Sequence, residues 1–119
     1  MSQEPAVSAA MQILLGAGDA RKLVSEAIGA IAGLDFGLAE ALLADAQVVL
    51  RPAHQAHTDV IQAEAGGSEI TSTALFSHAQ DTMMATDSEI RMTKRLLPVF
   101  RGLDARLTAL ETTAGEGTR

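Results

Sequence analysis

The 119-residue chain contains no cysteine, tryptophan or tyrosine, and its aromatic carbon rings are limited to three Phe. The lack of thiols excludes disulfides, thiol catalysis and thiolate metal sites. Basic charge is scarce as well: nine Lys and Arg face 15 Asp and Glu, for a formal charge of −6. Binding to a phosphate backbone takes clustered Lys and Arg, so nucleic acid is not an expected partner. The acidity suits solubility and attraction to a basic partner surface. No apolar run approaches the roughly 18–20 residues that span a bilayer. The opening "MSQEPAVSAA" has neither the basic start nor the apolar stretch of a signal peptide. A cytoplasmic protein without membrane insertion is expected.

What is present is helix material. Hydrophobic residues make up 47% of the chain, and they are chiefly Ala, Leu, Ile, Val and Met, which fill helix–helix contacts. Apolar positions recurring at three- and four-residue steps predict three helices, over about 7–31, 36–64 and 73–111. In the first the stripe is Met11, Leu14, Leu15, Leu23, Val24, Ala27, Ile28 and Ile31. The second carries Leu38, Leu42, Ala46, Val49, Leu50, Val60 and Ile61. In the last part of the third it is Leu96, Val99, Phe100, Leu103, Leu107 and Leu110. "AGLDFG" supplies the first turn, with Asp35 as a helix start, and "AGGSEITS" (65–72) the second, with Ser and Thr as caps. Pro52 and Pro98 should each kink a helix or cost it a hydrogen bond. Polar "TDSE" (86–89) has capping-box spacing, but Met83, Ile90 and Leu97 keep a seven-residue step across it, which predicts a continuous third helix.

The expected fold class is therefore all-α, an antiparallel three-helix bundle over residues 7–112, with flexible ends at 1–6 and 113–119. A lone bundle of this length leaves part of its Ala/Leu/Met surface in water, which favours association with copies of itself.

The chemistry concentrates in "LFSHAQDTMM" (75–84), where His78 and Asp81 stand one helical turn apart. Three readings of such a pair are open: a partly buried His satisfied by a carboxylate, a nucleophile, or part of a metal site. An imidazole with its ordinary pKa of about 6.5 is mostly an unprotonated nitrogen base at cytosolic pH. Such a nitrogen can attack phosphorus and split a hard transfer into two easier ones. Elsewhere, Gly16 and Gly18 form a G-x-G with no strand before it, which makes a dinucleotide site a poor reading; Gly18 reads better as permitting close helix approach. His54 and His57 are three apart, a weak zinc pair. Arg21 reads as a solvated residue or as the partner of an acidic neighbour.

"SHAQDTMM" (77–84) resembles the "HAQDHLM" signature of the IIA components of the lactose/cellobiose class of the bacterial sugar phosphotransferase system. Three further blocks fall in the family's order and spacing. "GAGDARKLVSEAI" (16–28) resembles its Asn-Ala-Gly-x-Ala-Arg first-helix motif, "LDFGLAEALLADA" (34–46) its "GDFEEAEELLKEA", and "AHQAHTDVIQAEAGG" (53–67) its "AHKIQTELIQKEAEG". The likeness covers roughly residues 8–95.

The resemblance implies an antiparallel three-helix subunit that assembles as a homotrimer. It implies that His78 accepts a phosphoryl group from the general phosphocarrier protein HPr and passes it to a cysteine of a IIB component, which serves uptake of a lactose-, cellobiose- or chitobiose-type sugar. Asp81 is placed by the same resemblance at the trimer axis, where three copies share a metal ion, Mg²⁺. Gln80 has two readings, orienting groups from a neighbouring chain or packing within the motif. Leu75, Phe76 and Ala79, beside His78, are expected to provide part of an apolar docking surface. Competing readings are a histidine phosphotransfer domain of two-component signalling, whose pattern Asp81 and Thr82 fit poorly, and a non-catalytic helical assembly module. The chain departs from the family at Thr82, where many members have a second His, and at Asp87 and Glu89, where relatives are mostly apolar. Its end, with the amphipathic "LDARLTALE", runs past the family's usual length.

Overall fold

Two turns of closely related construction fold the chain back on itself. A computed structural model describes residues 4–70 and 73–117. It contains α1 (Glu4–Ala32), α2 (Phe36–Ala65) and α3 (Ala74–Gly117), and among the described residues no strand. At the end of α1 the Asp35 amide donates to Ala30 O (2.8 Å) and the Leu34 amide to Ile31 O (2.9 Å). At the end of α2 the Ser68 amide donates to Ala63 O (3.0 Å) and the Gly67 amide to Glu64 O (3.1 Å). Both are Schellman closures, which need one residue in the left-handed region. Gly67 takes that place at φ 97°, whereas in the first turn it is Leu34, at φ 63°, and not the glycine before it. The next helix then starts at once. Asp35, as anticipated, accepts from the Leu38 amide (3.1 Å), and Thr73 Oγ1, one residue past the stretch 65–72 whose Ser and Thr were expected to cap, accepts from the Phe76 amide (3.0 Å).

With turns this short the three helices run antiparallel in succession. Gly16 on α1 lies opposite Ala53 on α2, while His54 and Glu40 on α2 meet Asp87 and Arg101 on α3. The bundle is 77 × 20 × 20 Å. α1 and α3 reach into the stretches expected to be flexible: residues 4–6 and 113–117 are helical. Residues 1–3, 118–119 and, in the second turn, 71–72 lie outside the described residues. α3 is continuous through "TDSE", as the seven-residue step predicts. Pro52 and Pro98 sit on exposed positions inside α2 and α3 without ending either helix, each withholding one amide donor.

The core differs from the predicted stripes in one instructive way. α1 buries Ala6, Ala10, Ile13, Ala17, Ala20, Val24 and Ala27, a four-three alternation of mostly small residues. Met11, Leu15 and Ile28 face outward, with Leu15 67% exposed. Small side chains let helix axes approach, so an alanine ridge is the better close-packing face even though leucine is the stronger hydrophobe. The approach is tightest at Gly16, where a Cβ would stand 3.1 Å from that of Ala53; Gly18, expected to serve this purpose, has open space around it. α2 likewise buries Leu43, Ala46, Leu50 and Ala53 while Leu38 and Ile61 face solvent. α3 buries Met83, Ile90 and Leu97 as predicted. Thr86 and Thr93 join them, their hydroxyls satisfied by donating to Thr82 O and Glu89 O (2.7 Å each). Leu96, Val99, Leu103, Leu107 and Leu110, read from sequence as one stripe, are exposed.

Candidate functional site

His78 lies in the second turn of α3, which starts at Ala74 under the Thr73 cap. Core contacts on this stretch are made by Phe76, Ala79 and Met83. His78 and Asp81 fall between those positions and both are exposed. Neither side chain has a hydrogen bond or ion pair among the described residues. Besides the helix's own backbone bonds, the hydrogen bond at His78 among the described residues goes to its carbonyl: Thr82 Oγ1 donates to His78 O (2.8 Å). The imidazole is thus reachable with both ring nitrogens uncommitted, the condition for a nucleophile and not for a structural histidine. Thr82 spends its hydroxyl on the helix backbone.

Gln80 turns the other way. It is half-buried, and its Oε1 lies 3.0 Å from His57 Nε2 on α2; with the proton on Nε2, His57 donates this bond. The His57 ring also stacks on Phe76, with ring centroids 5.9 Å apart and planes 7° from parallel. His57 and Gln80 therefore tie α2 to α3 next to His78. A single sequence gives no signal that joins positions 57 and 80, and this contact was missed. The docking surface expected from neighbours of His78 is corrected as well: Phe76 and Ala79 are buried in the chain's own core, and Leu75 is half-buried. Exposed apolar residues towards this end include Val7, Met11 and Leu15 on α1, Ile61 on α2 and Met84 on α3.

The two departures farther along α3 become bridges. Asp87 is met by Arg91 (Nε to Oδ2, 2.9 Å) and by His54 of α2 (Nε2 to Oδ1, 3.6 Å). Glu89 accepts two hydrogen bonds from Arg21 of α1, from Nη2 at 2.8 Å and Nε at 3.3 Å, so Arg21 has the acidic neighbour anticipated for it. The hydrogen bond and charge of Glu89 raise the pKa of Arg21 further above its already high value. His54 and His57 have different partners and do not form a zinc pair. Among the described residues no group of three His, Cys, Asp or Glu side chains converges on a point where a metal could sit. Asp81 offers a single carboxylate, so a metal held there would need ligands from other copies of the chain. Among the described residues, no helix is long and apolar enough to cross a membrane.

Residues 8–101 match the sequence model of the family described as PTS system, Lactose/Cellobiose specific IIA subunit. The chain is 36% identical over 85 residues to the lactose-specific EIIA component of Lacticaseibacillus casei, covering 71% of this chain and 76% of that protein. It is 33% identical over 90 residues to the oligo-beta-mannoside-specific EIIA component of Bacillus subtilis, covering 76% and 82%. The crystal structure of PtcA from S. mutans superposes with a TM-score of 0.78 at 37% identity, over 79% of this chain and 92% of that one.

Proposed function

Since the chain belongs to the lactose/cellobiose-specific IIA family and is a phosphotransferase component of a sugar uptake system, we propose that it carries phosphoryl groups in the cytoplasm, taking each from phospho-HPr onto His78 and delivering it to a cysteine of a IIB component. The sugar served is of the lactose, cellobiose or chitobiose type. The observation that carries this reading is the exposed, unpartnered imidazole of His78 inside the "HAQD" stretch.

The chemistry needs little more than that nitrogen. Its lone pair attacks phosphorus, forming one P–N bond as the P–N bond to the HPr histidine breaks. The acceptor ring gives up the proton on its second nitrogen, and the donor ring takes up one, so the exchange balances. In the second step a thiolate of IIB attacks, a P–S bond forms and the P–N bond at His78 breaks, the ring taking up a proton to return to the neutral imidazole. Donor and acceptor groups are close in energy, so the reaction runs without a nucleotide. Catalysis then rests on positioning and on excluding water at the docked surface. His57 steadies Gln80, and Gln80 in turn holds the stretch of α3 that presents His78, the orienting role we assign to it. The exposed apolar Met11 and Leu15 of α1 and Met84 of α3 are candidates for partner docking in place of the buried Phe76 and Ala79.

The proposal includes a homotrimer with Asp81 of each copy at the shared axis. An exposed carboxylate with no partner in its own chain fits this place. Three converging carboxylates repel one another. A hard divalent cation such as Mg²⁺ with oxygen ligands would neutralise that repulsion, and Asp81 from each copy would hold it. His78 itself needs no metal for its attack.

The test is a reconstituted relay of phosphoenolpyruvate, enzyme I, HPr, this chain and a IIB domain. Labelled phosphoryl should reach the IIB cysteine only when the chain is present, and His78→Ala should abolish the transfer. Transfer that survives in His78→Ala would overturn the assignment.

A further inference from the structure

Two departures from the family's pattern meet in one cavity. The first is Leu34, which stands where the motif resembled by residues 34–46 begins with Gly. Leu34 holds a left-handed backbone, at φ 63°, that glycine adopts freely and an L side chain resists. The second is the length of α3, which continues from the end of the family match at 101 to Gly117. Leu34 and Phe36 line one side of a cavity of about 380 Å³, and Leu103, Asp104, Leu107 and Glu111 of the extension line the other. Backbone strain persists where the surrounding structure requires it, and ligand sites are a common place for it. Here it keeps a leucyl side chain at the cavity wall, where a glycine would leave none.

The lining combines two chemistries. Leu34, Leu103 and Leu107 are aliphatic, and the rings of Phe36 and Phe100 extend the apolar surface. Against them stand two carboxylates. Asp104 and Glu111 are seven residues apart, so they project from nearly the same side of α3, about 10 Å apart along its axis. Asp104 is half-buried. Among the described residues neither carboxylate has an ion pair or a side-chain hydrogen bond, and no basic side chain lines the cavity. Arg101, one turn before Asp104, is committed to Glu40 (3.0 Å) and to the ring of Phe36, 5.7 Å from its centroid.

The charge that complements this lining is positive, and the surface that complements it is apolar. A hydrated inorganic cation would make no use of the leucines. A neutral ligand would leave the half-buried carboxylate unpaired, and an anion would be repelled. We propose that the cavity binds a small organic ammonium, with its hydrocarbon body against Leu34, Leu103 and Leu107 and its charged head on Asp104. Glu111 and the two Phe rings add attraction for the same charge. A volume of about 380 Å³ falls within the roughly 300–1,000 Å³ of small-molecule sites and is too small for a helix of another protein. The site lies about 37 Å along α3 from His78 and does not depend on the phosphocarrier reading.

The test is a titration of the full chain with hexylammonium, hexanol and hexanoate, followed by the leucine methyl signals in NMR. Hexylammonium should shift the methyls of Leu34, Leu103 and Leu107 saturably. Hexanol should bind about tenfold or more weakly, and hexanoate should give no saturable shift. Asp104→Asn should weaken hexylammonium binding about tenfold or more. Leu34→Gly should weaken it severalfold in a chain that is no less stable, which separates loss of the site from loss of the fold. The proposal is overturned if hexylammonium gives no saturable shift, if all three probes bind equally, or if Asp104→Asn binds as tightly as the native chain. It is overturned as well if the shifts vanish once the chain is assembled, because another copy then fills the cavity.

Discussion

The inner and outer sides of α3 are built to different rules. On the inner side Phe76, Ala79, Met83, Thr86, Ile90, Thr93 and Leu97 alternate in steps of three and four, a seven-residue period that packs on α1 and α2. That stripe stops at Leu97, close to where the partner helices run out. The outer side repeats in elevens, starts at a bare carboxylate and continues to Leu110, which is 66% exposed. The short-period face packs within the chain itself, and the long-period face is exposed. His78 lies on the edge of the outer face, where an imidazole is reachable without disturbing the core.

The sharpest way to break this comparison uses two residues of similar size, two positions apart. Ile90 is fully buried, and Ile90→Ala should cost about 2–5 kcal/mol of chain stability. Met92 is 55% exposed, and Met92→Ala should change the stability of the single chain by less than about 0.5 kcal/mol. In thermal unfolding the first shift should persist at every protein concentration, and the second should grow with concentration as assembly contributes. Equal, concentration-independent losses would erase the distinction between the faces.

The turns separate the two stabilities further. Leu34 pays for a left-handed backbone that glycine adopts freely, so Leu34→Gly should stabilise the chain by up to about 1 kcal/mol, the relief exceeding the entropy lost with glycine. Gly67→Ala should do the reverse by about 1 kcal/mol. Both changes act on the inner packing alone, so denaturant midpoints should move while the concentration dependence of assembly does not. A small, salt-dependent effect is expected where the faces meet: Arg21→Ala removes an exposed bridge to Glu89, which should cost about 0.2–1 kcal/mol and less as salt is added. Neither partner is buried enough for more.

Much of this was legible in the sequence. Helix number, both turns, the Asp35 cap and the unbroken third helix follow from periodicity and turn chemistry, and the chemical residues follow from the "HAQD" block. Facing was not legible on α1. A hydrophobic stripe shows that a side is apolar, not which partner covers it, and the alanine ridge of Ala10, Ala17 and Ala20 is a weaker signal than Met11 and Leu15 although it is the buried one. For the same reason the stripe of Leu103, Leu107 and Leu110 did not reveal that these residues are exposed. The left-handed residue was assignable to glycine at Gly67 but not at Leu34, where a complete closing motif overrides a side chain's preference. At the site, the exposure of His78 follows from its place between core positions, whereas its neighbour's bond to His57 depends on how two helices are set against each other, which local pattern does not encode.

The most direct test of the central claim is peptide mapping by mass spectrometry after incubation of the intact chain with phospho-HPr. The account predicts one acid-labile phosphoryl group per chain, located on His78, with His54 and His57 unmodified. A phosphoryl group on either of those two histidines, or a chain that remains unmodified beside fully phosphorylated HPr, would contradict it.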